Sequence, residues 1–157
     1  MGMNIAIDGP AGAGKSTIAK RLAKDLGFIY IDTGAMYRAM GYYFAVKMGI
    51  DLDNEEEVAV ACPKVDVTIA YEDDIQQVFV NGENLSGVIR TEEAGAMASK
   101  VSVYPVVRTK LVESQQKLAQ NADVIMDGGD GGLEPSTIVD CTENIPEIIR
   151  EGKGVLK

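Results

Sequence analysis

The stretch Gly9-Pro10-Ala11-Gly12-Ala13-Gly14-Lys15-Ser16 fits the pattern GxxxxGK[ST], with an apolar run before it and a helical repeat after it. Before it, Ile5, Ala6 and Ile7 form an unbroken apolar segment within residues 4–8, as expected of a strand buried on both faces of a parallel sheet. After it, Ile18, Leu22 and Leu26 share one helical face, Ala19 and Ala23 lie beside them, and Gly27 is a natural stop. In that setting successive backbone N–H groups at a helix N-terminus form an anion nest, and glycine permits both the turn and close approach. Lys15 then meets the β- and γ-phosphates of a nucleotide, and Ser16 can ligate Mg²⁺. An ordinary glycine-rich strand-to-helix turn has no need of Lys15-Ser16 at that offset. The first constraint on the chain is therefore an α/β fold built around a phosphate-binding P-loop.

The remaining pattern alternates between helical and strand periods. Residues 28–31 read as a second strand; from Ala35, the residues Met36, Met40, Tyr43 and Phe44 recur at helical intervals until Gly49. Residues 55–61 offer a short helix before Pro63. The period then changes, with Val65, Val67 and Ile69 alternating with Asp66 and Thr68. Residues 75–80 follow, and Asn81-Gly82 is a favoured type I′ turn pair, so residues 63–90 read as a small antiparallel insertion. Thr91 with Glu92 and Glu93 starts a helix, since a hydroxyl cap and early carboxylates satisfy exposed N–H groups and oppose the helix dipole. Pro105 restarts the pattern, and Val107, Leu111 and Leu118 carry a further helix toward Asn121. Val124, Ile125 and Met126 then read as a buried strand ending in Asp127. Residues 137–141 and 147–150 are two strand candidates. No repeat, low-complexity tract or heptad is present.

Composition narrows the chemistry. At 157 residues and 46% hydrophobic content, one compact domain can bury most of its apolar surface. Histidine is absent, which excludes histidine triads and imidazole acid–base catalysis. Cys62 and Cys141 lack the clustered spacing of a zinc or redox motif and read as packing residues. The net charge of −9 divides into +3 over residues 1–50, −10 over 51–93 and −2 over 94–157. The acid is thus concentrated in the middle of the chain, the P-loop region keeps a positive field, and broad nucleic-acid binding is argued against. No run of about 18 apolar residues occurs, and Asp8 with the glycine-rich loop stands where a signal peptide needs its apolar stretch. A cytoplasmic protein without membrane association is expected. Oligomeric state is left open.

Two further segments carry chemistry with two readings each. Asp127 at the end of an apolar strand reaches magnesium or its waters in P-loop folds, or simply caps the strand. Asp32-Thr33-Gly34-Ala35-Met36-Tyr37-Arg38 offers a hydroxyl, an aromatic face and a guanidinium to an acceptor molecule, with Arg38 able to fork onto phosphate. It is equally a capped helix with a surface arginine.

GPAGAGKST at 9–17, DTGAMYR at 32–38, NGENLSGVIRTEE at 81–93 and ASKVSVYPVVR at 98–108 closely resemble bacterial cytidylate kinase over residues 3–128. The resemblance implies a three-layer α/β nucleoside monophosphate kinase fold, with a parallel sheet, a small β-containing insertion and phosphoryl transfer from Mg²⁺-ATP to CMP or dCMP. Matched position by position, Gly9, Pro10, Ala11, Gly12, Ala13, Gly14, Lys15, Ser16 and Thr17 are the ATP loop. Thr33, Tyr37, Arg38, Ser99, Arg108 and Asp130 are the monophosphate site, Lys15 and Asp130 the catalytic groups, and Ser16 and Asp127 the magnesium ligands.

Two departures bear on activity. The family writes Asp-Gly-Arg-Asp where this chain has Asp127-Gly128-Gly129-Asp130, and the arginine-rich lid helix is not recognisable after it. Residues 127–154 instead resemble the end of a YrdC-type threonylcarbamoyl-AMP synthase domain, with Ser136 and Arg150 at its matching positions. The expectation is a chimera joined near Asp127-Gly128: a kinase-like core at 1–128 and a grafted C-terminal β-hairpin at 129–157 that completes the sheet. Three function classes follow: an impaired cytidylate kinase-like phosphotransferase, a nucleotide-binding module without turnover, and a recombination product without selected activity.

Overall fold

The computed structural model describes residues 3–7 and 14–128, together with the backbone of 138–140 and 147–150. β1 (Asn4–Ile7), β2 (Ile29–Asp32) and β6 (Val124–Asp127) form a parallel sheet in the order β1-β6-β2. Asn4 to Ile7 pair with Val124 to Asp127, and Ile29 to Asp32 pair with the same four residues from the other side. Among the described residues the late strand is therefore central, and the full burial expected of the first strand belongs to it. Val124 and Ile125 are completely buried, whereas Ile5 and Ile7 are half-buried and Ala6 is exposed at an edge of the sheet.

Helices cover both faces, which gives the expected three layers. α1 (Lys15–Leu26) lies on one face, where Ala19 and Ala23 pack against Ile125. This corrects the face read from the sequence: Ile18 and Leu26 are 60% and 48% exposed. A helix lying close over a sheet favours small contacting side chains, so the alanines face inward. α2 (Thr33–Tyr42), α4 (Glu92–Ser102) and α5 (Pro105–Ala119) cover the other face, around a core that includes Ile31, Met36, Met40, Phe44, Val101, Val107, Leu111 and Val124. The second strand ends one residue later than expected, and its helix begins at Thr33 rather than Ala35. α2 then widens into a π-helical turn, Tyr43–Lys47, that carries buried Phe44.

The short helix α3 (Glu55–Ala61) has the expected bounds. Asn54 caps it by accepting from Glu56 N and Glu57 N, beside three acidic residues that oppose its dipole. It leads through Cys62, which is buried, into the antiparallel sheet β3 (Val67–Glu72), β4 (Ile75–Val80) and β5 (Glu83–Asn84). Asn81 and Gly82 connect β4 to β5 with φ of 49° and 81°, the expected I′ pair. Val67, Val78 and Val80 turn into the main core, so the insertion is packed on the body of the fold. Thr91 caps α4 by accepting from Ala94 N, as its sequence predicts.

β7 (Ile138–Asp140) and β8 (Glu147–Arg150) pair antiparallel as a two-stranded sheet of their own. The hairpin is present, but it does not complete the parallel sheet. Asp130, Ser136 and Cys141 lie outside the described residues, as do Gly9, Pro10, Ala11, Gly12 and Ala13. No helix among the described residues is long and apolar enough to cross a membrane.

Candidate functional site

The phosphate-loop motif lies between β1 and α1, as its sequence context requires. Gly14 is the N-cap of α1 at φ 79°, ψ 14°, a left-handed conformation that an L side chain adopts only with strain. An added Cβ there meets nothing within 4 Å, so glycine is needed for the backbone angle and not for space. Gly14 has no side chain with which to cap the helix, and Lys15, Ser16 and Thr17 form its first turn. The positive end of the helix dipole is thereby directed at the loop that precedes it.

Asp127, at the end of the central strand, is 5% exposed and is held at two atoms. Its Oδ2 accepts from the Tyr30 hydroxyl at 2.7 Å, and its backbone oxygen accepts from Thr33 Oγ1 at 2.8 Å. A buried carboxylate needs such partners, because desolvation of an unpaired charge costs several kcal/mol. Burial chiefly, then the hydrogen bond to Asp127 and the charges of Asp32 and Asp127, push the Tyr30 phenol pKa up. The Ser16 hydroxyl beside it acts in the opposite direction. One phenol thus brings the hydroxyl from the loop–helix junction and the carboxylate from the central strand to a common point. Lys20 Nζ lies 5.4 Å from the centroid of the same ring.

Past β2, Asp32 caps α2 by accepting from Ala35 N at 3.0 Å. Tyr37 and Arg108 meet: burial raises the Tyr37 pKa, while the charge of Arg108 and its hydrogen bond lower it. The two residues come from α2 and α5, so the structure joins two of the predicted acceptor-site residues across the sequence. Arg38 lines a groove of about 900 Å³ shared with Lys20, Tyr71, Gln76 and Arg90. Thr33 is 7% exposed, with its hydroxyl committed to Asp127. Ser99 is exposed on α4, where its hydroxyl donates to Gly95 O at 3.2 Å.

Two residues of this region carry no signal as site residues in the sequence. Tyr30 reads only as a strand residue, and its pairing to Asp127 follows from the order of the sheet. Gln76 stands in an alternating strand, yet its Oε1 accepts from Asp32 N at 2.8 Å and its Nε2 donates to Asp32 O at 3.2 Å. Tyr71 Oη donates to the Tyr30 carbonyl beside it. Nothing local to residues 71–76 points to these bonds.

The profile of the family described as Cytidylate kinase matches residues 5–137. Cytidylate kinase of Bacillus cytotoxicus is 46% identical over 130 residues, covering 83% of this chain and 57% of the relative. That of Oceanobacillus iheyensis is 46% identical over 130 residues, covering 83% and 56%, and that of Bacillus cereus 45% identical over 130 residues, covering 83% and 57%. The chain spans little more than half the length of these curated relatives. The family match runs past the junction expected near 128, and none of the comparisons supports a YrdC-type tail or a chimera.

Proposed function

The chain belongs to the cytidylate kinase family, and from that premise we propose that it binds Mg²⁺-ATP at the 9–17 loop and transfers the γ-phosphoryl group to CMP or dCMP. The observation that carries this reading is the convergence at Tyr30. The first turn of α1, with Ser16, and the buried Asp127 carboxylate come together there, beside the capped start of α2. In its roles on this reading, the loop with Lys15 cradles the donor phosphates. Tyr37 and Arg108 hold the acceptor, with Arg38, Thr33, Ser99 and Asp130 assigned to it by family position.

Ser16 and Asp127 fit a magnesium ion: both present oxygen donors, and Mg²⁺ takes few protein ligands and keeps several waters. When bound, the ion neutralises charge on the β- and γ-phosphates. The chain's own contribution is orientation. Tyr30 fixes one carboxylate oxygen of Asp127, Thr33 fixes that residue's backbone, and Asp32 fixes the helix that bears the acceptor contacts. Reactions of this class depend on positioning and charge stabilisation more than on covalent catalysis.

Turnover on this reading is impaired, because Gly129 stands where the family places an arginine and residues 129–157 as they stand carry no recognisable arginine-rich lid. A transition-state arginine is worth on the order of 10³–10⁵ in rate. The Gly129 substitution also favours the second reading, nucleotide binding without turnover. The test is coupled ADP release with ATP and CMP, beside Gly129→Arg. Slow wild-type turnover that the arginine partly restores supports the proposal. Wild-type turnover of about 1–100 per second refutes the impairment. Absence of both ATP and CMP binding refutes the function.

A further inference from the structure

β2 is an edge strand of the parallel sheet, and the polar groups on its outer side face the insertion. An edge strand left open is a liability, and folds cover it with side chains or loops. Here the cover is specific. Gln76 meets both the N–H and the C=O of Asp32, at 2.8 and 3.2 Å, so its amide substitutes for one residue of a neighbouring strand. Tyr71 Oη takes the carbonyl of Tyr30, two residues upstream. Both contacts come from the β3–β4 hairpin, 41 and 44 residues further along the chain.

Asp32 is more than the end of a strand. Its carboxylate caps α2 at Ala35 N, and the next residue, Thr33, grips the backbone of Asp127. The helix that begins there carries Tyr37, whose phenol lies within the influence of Arg108, and Arg38, which lines a groove together with Gln76 and Tyr71. We propose that Gln76, supported by Tyr71, is a positioning residue for the acceptor site: the insertion holds the Asp32 hinge and thereby sets the start of α2. The proposal deepens the kinase reading and rests on it for the identity of the acceptor. Gln76 itself bonds Asp32 and not the Tyr30 hydroxyl, Ser16 or the Asp127 carboxylate, which predicts that its loss is felt at the acceptor and not at the donor loop.

The experiment compares wild type with Gln76→Leu, with Tyr71→Phe as a gentler variant should the first fold poorly, and with Gln77→Leu as control. Gln77 bonds Asn84 instead of Asp32, so its loss leaves the strap intact. Amide hydrogen exchange on the protein without nucleotide is read at Asp32 and Ala35, and calorimetry is run with CMP and with Mg²⁺-ATP. Gln76→Leu is expected to speed exchange at both amides and to weaken CMP roughly three- to ten-fold with Mg²⁺-ATP unchanged, the loss of one such hydrogen-bonded contact. Tyr71→Phe should shift both in the same direction by less, and Gln77→Leu should shift neither. Unaltered exchange at Ala35, or an equal loss of both nucleotides, overturns the proposal. A wild type that binds no CMP refutes the acceptor assignment instead, and the exchange result still decides whether the strap positions α2.

Discussion

Gly41→Ala tests the packing that holds the two halves of the acceptor region together. Gly41 is buried in α2 where that helix crosses α4, and an added Cβ would lie 2.9 Å from the carbonyl carbon and oxygen of Met97 and 3.1 Å from its Cβ. Ordinary contact begins near 3.4 Å, so the helices must part by about half an ångström, and the obstructing atoms are backbone that cannot swing aside. Overpacking of this kind costs about 1–3 kcal/mol. Helix propensity opposes it, since alanine gains up to about 1 kcal/mol over glycine inside a helix. With the full propensity gain the expected net loss is about 0–2 kcal/mol, read by urea unfolding, with a fall in Tm of up to about 8 °C.

Gly95 supplies the internal control. It lies in α4, and a Cβ built there meets nothing within 4 Å, so Gly95→Ala should stabilise by up to about 1 kcal/mol through propensity alone. Opposite signs for two Gly→Ala changes on neighbouring helices isolate the steric effect from the backbone effect. If Gly41→Ala is as stabilising as Gly95→Ala, the helices are free to relax and the close crossing carries none of the weight assigned to it. Parting these helices also separates Tyr37 and Arg38 on α2 from Ser99 on α4. CMP affinity should therefore fall with stability in Gly41→Ala and hold in Gly95→Ala.

Lys15→Ala should weaken Mg²⁺-ATP by removing a cation from a water-poor phosphate cradle, and equal ATP affinity in calorimetry would sink that assignment. Arg108→Ala removes the guanidinium beside Tyr37 and should lower CMP affinity about ten-fold or more with little change in Tm, because Arg108 is exposed; no preference for CMP or dCMP over AMP in the wild type would count against the acceptor identity. Burial pushes the Tyr71 phenol up to about 12 from its ordinary 10.0, so the folded state holds that proton more tightly. Its contribution to stability is complete below pH 10 and is lost as pH rises toward 12, and ultraviolet titration should lose one of the late phenol ionisations, the one near pH 12, in Tyr71→Phe, while Tyr30 ionises later still.

Much of the fold was legible because its signals are local. Thr91 caps the helix that follows it, Asn81-Gly82 makes its turn, and residues 55–61 form the short helix their pattern offers. Each of these is settled within one short stretch of chain. The failures share the opposite property. Hydrophobic size suggested that Ile18 and Leu26 face the sheet, but closeness to Ile125 selects Ala19 and Ala23, and no residue near position 18 records that distance. The first strand looked fully buried from its own apolar run, although burial on both faces depends on which strand occupies the centre.

Strand order has the same bearing on the candidate site. Insertion of β6 between β1 and β2 places Asp127 level with Ile7 on one side and Asp32 on the other. From there its carboxylate meets Tyr30, its backbone meets Thr33, and Ser16 stands beside the same phenol. With β1 in the centre, β6 and β2 would not be neighbours, Asp127 would not be in register with Asp32, and Thr33 would have no Asp127 carbonyl to hold. Lys15, Ser16, Tyr37, Arg108 and Asp127 could be picked out singly because each stands in a recognisable string or at a strand end. Their assembly depends on pairings 94 and 97 residues apart and on a glutamine that grips Asp32 from 44 residues away. The register of the sheet, more than any one motif, therefore decides whether the individually legible residues can act on the same pair of substrates.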